Sequence, residues 1–232
     1  MRTIVLMPTF NEAMSIRETV LSLRNQNLKV DLLIIDDASP DGTGKIADEL
    51  ADANTYVLHR THKAGLGAAY VAGFGWALER GYELIVEMDA DGSHRAEDLL
   101  KIISAAENAD LVLGSRWVSG GSVVGWPVRR QLISRIGNLY ARIMLRTKIS
   151  DMTSGFRAYR ASLLQALELS RVSARGYAFQ VEMALLAARA KSRVVEVPIT
   201  FVERAHGNSK MTTAIVLEAL WLVTKWAFYR SA

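Results

Sequence analysis

Hydrophobic residues in the first half of the chain follow two alternating patterns. Short apolar runs, rich in Val, Ile and Leu and ended by polar residues or Gly, predict β-strands at residues 3–7, 32–35, 56–58, 84–88 and 111–113. Segments with apolar residues at helical spacing lie between them and predict helices at residues 15–24, 44–50, 67–78 and 97–107. This alternation predicts an α/β fold in which helices cover both faces of a mainly parallel sheet.

Two further amphipathic helices are predicted in the second half of the chain. Residues 127–149 combine an apolar stripe with arginines on another face, a pattern typical of a helix on an anionic membrane surface. An ordinary surface helix is the alternative. Residues 213–229 are mostly apolar, with Glu218 and Lys225 as the only charged residues, and at about 25 Å they are too short to cross a hydrocarbon layer of ~30 Å. They predict a helix in the membrane interface, with a helix packed on the core as the alternative.

Composition and charge narrow the class of ligand. The 232 residues include no Cys, which excludes a disulfide framework and a thiolate metal site. The net charge is +4, but it is unevenly distributed, because no acidic residue occurs between Asp110 and Asp151. Seven basic residues occupy that stretch: Arg116, Arg129, Arg130, Arg135, Arg142, Arg146 and Lys148. This distribution favours an anionic partner for one segment of an otherwise slightly acidic chain.

Acidic clusters follow the first, second and fourth predicted strands. They contain Glu12, then Asp36, Asp37 and Asp41, then Asp89 and Asp91. Parallel sheets bind ligands beyond the carboxyl ends of their strands, so the three clusters are expected at one edge. Turn and helix-cap chemistry is the alternative explanation for each cluster. Together they would repel one another without a cation or hydrogen-bond donors, and the pair Asp89-x-Asp91 suits Mg²⁺ or Mn²⁺.

Several nucleotide and metal motifs are absent from the sequence. No G-x-x-x-x-G-K-[ST] occurs, and the glycines at 65 and 67 do not continue into G-x-G-x-x-G. The four histidines lack the spacing of a catalytic zinc site, and no nucleic-acid recognition motif accompanies the basic segment. Lys63 and the two glycines open a helix, so they suit an anionic part of a ligand, although helix entry alone also explains them.

Eight short motifs occur in a fixed order along most of the chain. They are P-T-F-N-E at 8–12, D-D-A-S-P-D-G-T at 36–43, K-A-G-L-G-A-A-Y at 63–70, M-D-A-D-G-S-H at 88–94, G-S-R-W at 114–117, T-S-G-F-R-A-Y at 153–159, G-Y-A-F-Q-V-E at 176–182 and R-A-H-G-N-S-K at 204–210. This set resembles the family 2 glycosyltransferases of GT-A fold, and more narrowly the dolichol- or polyprenol-phosphate mannosyltransferases. The resemblance covers residues 4 to about 210.

The resemblance implies a role for individual residues. Donor-binding residues would be Pro8, Phe10, Glu12, Ile35, Asp37, Lys63, Asp89, Ala90, Asp91, Arg116, Arg204 and Lys210. Asp89 and Asp91 would hold the metal, and the catalytic set would be Asp91, Arg116, Arg204 and Lys210. Arg116, Arg130 and Ser134 would bind the acceptor. Two departures stand out, since Phe10 replaces the usual Tyr and Ser93 stands where some relatives have Gln.

The resulting hypothesis is an inverting transfer of mannose from GDP-mannose to a polyprenyl monophosphate. Residues 1–211 would form the GT-A domain, with 127–149 facing the lipid acceptor and 212–232 as an interfacial helix. The enzyme would act at the cytoplasmic face of a membrane, as a peripheral or monotopic protein, and a membrane-protein partner or a fused membrane domain is left open. The alternatives are a polyprenyl-phosphate glucosyltransferase using UDP-glucose, a metal-dependent nucleotide-sugar phosphohydrolase, and a non-catalytic nucleotide-binding module. No nucleic-acid partner is expected.

Overall fold

A seven-stranded sheet lies at the centre of the computed structural model, which describes residues 1–172, 174, 176, 178–204 and 213–228. The strands are β1 (Thr3–Thr9), β2 (Asp31–Asp36), β3 (Thr55–His59), β4 (Leu84–Glu87), β5 (Leu111–Ser115), β6 (Ser122–Val124), β7 (Arg157–Arg160), β8 (Val194–Pro198) and β9 (Thr200–Val202). The large sheet has the order β3-β2-β1-β4-β7-β5-β8, while β6 and β9 form a second, parallel pair. Within the large sheet, β7 runs antiparallel to both β4 and β5 and the other pairs are parallel.

Helices cover both faces of the large sheet. They are α1 (Ile16–Arg24), α2 (Thr43–Leu50), α3 (Leu66–Glu79), α4 (Leu99–Ala105), α5 (Val128–Met144), α6 (Ala161–Ala166), α7 (Ala178–Arg189) and α8 (Thr213–Phe228). One core cluster joins the sheet to α3 and α7 through Tyr70, Phe74 and Phe179, and the other joins it to α1 and α4 through Ile16 and Leu99. The predicted α/β class with a mainly parallel sheet is confirmed.

The predicted strands and helices of the first half are present with small shifts at their ends. Residues 4–7 of β1 are completely buried, as expected for a strand that is covered on both faces. The helix predicted at 97–107 is divided, because a 3₁₀ turn (Ala96–Asp98) precedes α4 and another (Ala106–Asn108) follows it. Strand β4 ends at Glu87, so Met88 belongs to the loop that carries the acidic pair.

The helix α5 has an unusual orientation on the domain. Several of its large apolar residues point outward, with Leu132, Ile136 and Ile143 between 56% and 63% exposed, whereas Ala141 and the polar Asn138 are buried. A second exposed apolar face lies on α8, where Leu217, Trp221 and Phe228 are more than 60% exposed. The opposite side of α8 packs on the core, and the Tyr140 hydroxyl of α5 lies 2.6 Å from the Thr224 hydroxyl. In the part of the chain that the structure describes, no helix has the length and apolarity needed to cross a bilayer.

A completely buried arginine, Arg157 of β7, ties the preceding loop to α7. Its Nε donates to the carbonyl oxygen of Ser154, Nη1 to that of Gln180 and Nη2 to that of Met152, each at 2.7 Å. Glu87 is its partner in the register of β4 and β7. Burial raises the pKa of Glu87 to about 8, against the opposing effect of the Arg157 charge, so Glu87 is largely protonated at neutral pH.

Replacing Arg157 by Met is expected to lower the free energy of unfolding by about 3 kcal/mol or more, because three buried carbonyl groups lose charge-assisted hydrogen bonds. Urea denaturation followed by tryptophan fluorescence measures this change. The matched control is Arg17→Met, which breaks an ion pair with Glu49 whose side chains are each about half exposed and should change stability by less than about 0.5 kcal/mol. Equal stabilities of the two variants would contradict the anchoring role of Arg157.

Candidate active site

The loops predicted to carry the site leave one edge of the sheet. Strand β1 lies between β2 and β4, and its last residues pair with the end of β2, with Pro8 opposite Ile35. The backbone amide of Met88, just after β4, donates to the carbonyl oxygen of Leu6 at 3.1 Å. The loops after β1, β2 and β4 therefore begin at the same edge of the sheet, as predicted from the sequence.

Asp37 organises the loop between β3 and α3. Its Oδ1 accepts a hydrogen bond from Arg60 Nη1 at 2.6 Å, and its Oδ2 accepts from the amides of Ala64 and Gly65, both at 3.1 Å. The neighbouring Lys63 places its Nζ 3.7 Å from the centre of the Phe10 ring. The structure thus brings Phe10, Asp37 and Lys63 together beyond the ends of β1, β2 and β3.

Other predicted donor residues have little or no side-chain exposure. Ile35 is completely buried in the core and Ala90 is 3% exposed, so these two positions can meet a ligand essentially through their main chains. Pro8 and Glu12 are partly exposed at the same edge. Glu12 Oε2 accepts a hydrogen bond from the Ser15 hydroxyl at 3.0 Å, which orients that carboxylate beside the start of α1.

His94 lies against the first carboxylate of the acidic pair. Its Nδ1 accepts a hydrogen bond from the Asp89 amide at 3.1 Å, so the neutral ring carries its proton on Nε2. This Nε2 is 3.8 Å from Asp89 Oδ2. Phe156 and Phe201 pack around the ring, with centroid distances of 5.0 and 5.5 Å. The imidazole is therefore held in one orientation and one tautomer.

The acidic pair favours positive charge. Burial raises the pKa of Asp89, and the charges of Asp91 and Glu12 raise it further, against the effects of His94 and Arg204. Asp91 Oδ1 accepts from the Ser93 amide at 3.0 Å, and Arg204 Nη2 lies 3.1 Å from Asp91 Oδ2. Within the described ranges, no group of three or more His, Asp or Glu side chains is arranged to hold a metal ion.

Arg116, which follows β5, is bound by a buried carboxylate. Its Nε and Nη2 donate to the two oxygens of Asp151 at 2.8 and 2.7 Å, and its backbone amide donates to Asp151 as well. Burial alone would raise the pKa of Asp151, but the Arg116 guanidinium and its hydrogen bonds hold this pKa below the ordinary value. Arg116 is consequently a rigid element of the site.

Arg130, near the start of α5, approaches the same region. Its guanidinium carbon lies 3.9 Å from the centre of the Trp126 ring, and that of Arg116 lies 5.4 Å from the same ring. Arg130 also forms an ion pair with Glu203, the residue before Arg204. Two arginines predicted to bind the acceptor thus lie near the same tryptophan. The segment after β9 contacts α5 through Glu203 and the acidic pair through Arg204.

A family model and closely similar proteins match this chain. The model for Glycosyl transferase family 2 matches residues 4–168. The chain belongs to this family. This glycosyltransferase is 53% identical over 228 residues to an undecaprenyl-phosphate mannosyltransferase of Micrococcus luteus, with 97% of the chain and 94% of the relative covered. It is 48% identical over 229 residues to a polyprenol monophosphomannose synthase of Mycolicibacterium smegmatis, with coverages of 97% and 86%.

Solved structures support the GT-A type of fold for this glycosyltransferase. Glucosyl-3-phosphoglycerate synthase from Mycobacterium tuberculosis, in complex with UDP, superposes with a TM-score of 0.70 at 19% identity, covering 97% of this chain and 80% of the other. A mannosyltransferase from Pyrobaculum calidifontis, in complex with GDP-Man and Mn²⁺, gives a TM-score of 0.61 at 20% identity, with coverages of 97% and 71%. At these identities the likeness concerns the fold alone.

Sequence reasoning predicted that the loops after β1, β2 and β4 of the glycosyltransferase share one edge of the sheet, but it missed two acidic partners. The sequence contained a signal for Asp151, because it is the first acidic residue after the basic segment. Such a position suits the counter-ion of a basic side chain. Glu203 had no comparable signal. Ser134 is partly exposed on α5, and Lys210, predicted to be catalytic, lies outside the described residues.

Replacing Asp151 by Asn is expected to destabilise the enzyme by about 3 kcal/mol at pH 7, because Arg116 stays buried without its counter-ion. The folded-state pKa of Asp151 is lowered, so its contribution is present above the unfolded-state pKa and disappears as the pH falls through the folded-state pKa. We therefore expect the difference in free energy of unfolding between the unaltered enzyme and Asp151→Asn, measured with urea, to become smaller as the pH falls from 7 to 3. A difference that stays constant over this range would contradict the ionised pair.

Proposed function

We propose that this glycosyltransferase transfers mannose from GDP-mannose to a polyprenyl monophosphate, with inversion at the anomeric carbon, giving polyprenyl-phosphate-mannose and GDP. The observation that carries the proposal is the position of two consecutive residues, since Glu203 pairs with Arg130 and Arg204 with Asp91. An acidic pair suited to a metal-bound diphosphate and a basic helix suited to a lipid phosphate are therefore linked through two adjacent residues. The names of the two relatives at 53% and 48% identity support mannose and a polyprenyl phosphate.

Asp89 and Asp91 fit a divalent cation of the Mg²⁺ or Mn²⁺ type. Burial and neighbouring negative charge raise the pKa of Asp89, and a guanidinium stands beside Asp91, so the pair already attracts a cation. Such ions commonly bind one or two protein carboxylates and complete their shell with phosphate oxygens and water. When bound, the ion would neutralise charge on the diphosphate leaving group. The presence of Mn²⁺ and GDP-Man in the Pyrobaculum structure supports this assignment.

In the proposed reaction, different residues of the chain would bind the donor and the acceptor. Phe10, Asp37 and Lys63 would bind the nucleoside side of the donor, and Arg204 would exchange its contact with Asp91 for one with the diphosphate. Arg116 and Arg130 would hold the acceptor phosphate. A phosphate oxygen forms the new bond to the anomeric carbon while the bond to the GDP oxygen breaks on the opposite side, which inverts the configuration. Because the acceptor is already ionised near neutral pH, no general base has to remove a proton.

The exposed apolar faces of α5 and α8 suit a membrane surface. Residues such as Leu132, Ile136, Trp221 and Phe228 are exposed although they are large and apolar, and an exposed patch of this kind marks an interaction surface. Arg135 and Arg142 stand exposed on α5 and add attraction to anionic lipid headgroups. We therefore propose a peripheral enzyme on the cytoplasmic face of a membrane, with the lipid acceptor entering beside α5.

A panel of nucleotide sugars tests the reaction directly. Purified enzyme with Mn²⁺ or Mg²⁺ and a short polyprenyl phosphate is expected to give polyprenyl-phosphate-hexose from GDP-mannose at a rate at least tenfold above that from UDP-glucose, as measured by product mass. Preferred use of UDP-glucose would replace the mannose assignment with the glucosyltransferase alternative. Rapid GDP release without any lipid product would favour a phosphohydrolase.

Replacing Asp91 by Ala is expected to reduce metal-dependent turnover at least a hundredfold, because loss of electrostatic stabilisation at a developing charge typically costs two or more orders of magnitude. Chelation of the metal should abolish turnover of the unaltered enzyme, and Mn²⁺ or Mg²⁺ should restore it. The matched control is Asp48→Asn, an exposed carboxylate on α2 that contacts His59. Full activity in Asp91→Ala would remove Asp91 from the metal site.

A further inference from the structure

Thr153 lies at the centre of a hydrogen-bond network that joins three elements. Its Oγ1 accepts from Arg116 Nη2 at 2.8 Å and from Asn138 Nδ2 at 3.1 Å, and it donates to Asp151 Oδ1 at 3.1 Å. A hydroxyl has one proton and two lone pairs, so this one is fully used. The direction of its O–H bond, and with it the position of the Arg116 guanidinium, is therefore determined by its neighbours.

The network leaves one nitrogen of Arg116 for a ligand. Nε donates to Asp151, and the two protons of Nη2 go to Asp151 and Thr153. Among the described residues, Nη1 makes no hydrogen bond. If Thr153 lacked its hydroxyl, Nη2 would also have a free proton, and rotation about the bonds of the side chain would be less restricted. Asp151 thus determines which edge of the guanidinium is bound, and Thr153 adds a further hydrogen bond that holds Nη2 in place.

Through Asn138, the same hydroxyl also determines the position of α5. Asn138 is 2% exposed, its Oδ1 accepts from the Met152 amide at 2.8 Å, and its Nδ2 donates to the Ser134 carbonyl oxygen at 3.0 Å. Arg130, Ser134 and Asn138 are spaced by four residues and so share one side of the helix. The residues proposed to bind the lipid phosphate on α5 are consequently held in register with Arg116.

The loop that carries Thr153 is itself rigid and close to the donor side. Arg157 binds the carbonyl groups of Met152 and Ser154 on either side of Thr153. Further along, a Cβ placed on Gly155 would lie 3.5 Å from Asp89 Oδ1 and 3.6 Å from His94 Cε1, so the loop passes next to the acidic pair. A phosphate bound by Arg116 would thus have a fixed position relative to the donor.

We propose that Thr153 is a positioning residue for the acceptor phosphate, acting through Arg116 and Asn138. Its hydroxyl holds the Arg116 guanidinium, just after β5, and the inner side of α5 in one geometry before the acceptor binds. Preorganisation of this kind lowers the cost of binding and of reaching the transition state. The inference rests on the proposed function, because it assumes that the ligand of Arg116 and Arg130 is the polyprenyl phosphate.

The test compares Thr153→Val, which removes the hydroxyl with little change of shape, with Thr153→Ser, which keeps it. With a short polyprenyl phosphate in detergent and GDP-mannose, Thr153→Val is expected to raise the acceptor KM about tenfold, and Thr153→Ser less than threefold. The dissociation constant of GDP-mannose, measured calorimetrically with Mn²⁺, should change less than twofold in both variants. Thermal melting verifies that each variant is folded, and Thr153→Ala carries the same expectation as Thr153→Val if the latter does not fold.

A double-mutant cycle separates positioning from a general loss of structure. In the Arg116→Ala background, adding Thr153→Val should raise the acceptor KM by clearly less than tenfold, because one of the two groups through which Thr153 acts is absent. An unchanged acceptor KM in Thr153→Val, equal increases in Thr153→Val and Thr153→Ser, or a full tenfold effect in the Arg116→Ala background would each overturn the proposed role. Absence of lipid product from the unaltered enzyme would overturn the proposed function and this role together, which distinguishes the two failures.

Discussion

Buried guanidinium groups hold the loop on which the candidate active site is built. Arg157 is completely buried and binds the carbonyl groups of Met152 and Ser154, in a region where water cannot replace those hydrogen bonds. Asp151, at the start of the loop, binds Arg116, and Gly155, at its end, lies beside Asp89. The acidic and basic parts of the site therefore share one support. Their relative position is determined by the core of the protein, and mobile surface chains contribute little to it.

Charge balance is a second property of the site. The carboxylate of Asp37 pairs with Arg60, Asp91 with Arg204 and Arg130 with Glu203, so opposite charges neutralise one another before any ligand is present. A buried charge without a partner would cost several kcal/mol of stability. Under the proposed function, ligand binding exchanges one charged partner for another of the same sign, and this exchange costs less than the desolvation of bare ions.

Whether an element could be predicted from the sequence depended on its surroundings in the fold. Strands such as β1 and β2 were predictable because coverage on both faces demands continuous apolar runs. Strand β7 was only partly predictable, since its sequence Arg-Ala-Tyr-Arg places a charged side chain in the core and satisfies it with main-chain carbonyl groups. The site loops were predictable because parallel strands end at a common edge. The pairs Arg116–Asp151 and Arg130–Glu203 were not, because their members lie 35 and 73 positions apart and spacing along the chain carries no signal for such contacts.

The exposed apolar side of α5 has a consequence for how the enzyme would bind to different membranes. The polar Asn138, together with Ala141, attaches this helix to the domain, and several large apolar residues such as Ile136 are left on the outside. Hydrogen bonds are directional, whereas contacts between apolar side chains and lipid tails are not. On a membrane, lipids of different length or saturation would change how deeply the enzyme sits but would leave the angle between α5 and β5 unaltered. The inner side of α5 would then keep the acceptor-binding residues in place, while its outer side adapts to the bilayer.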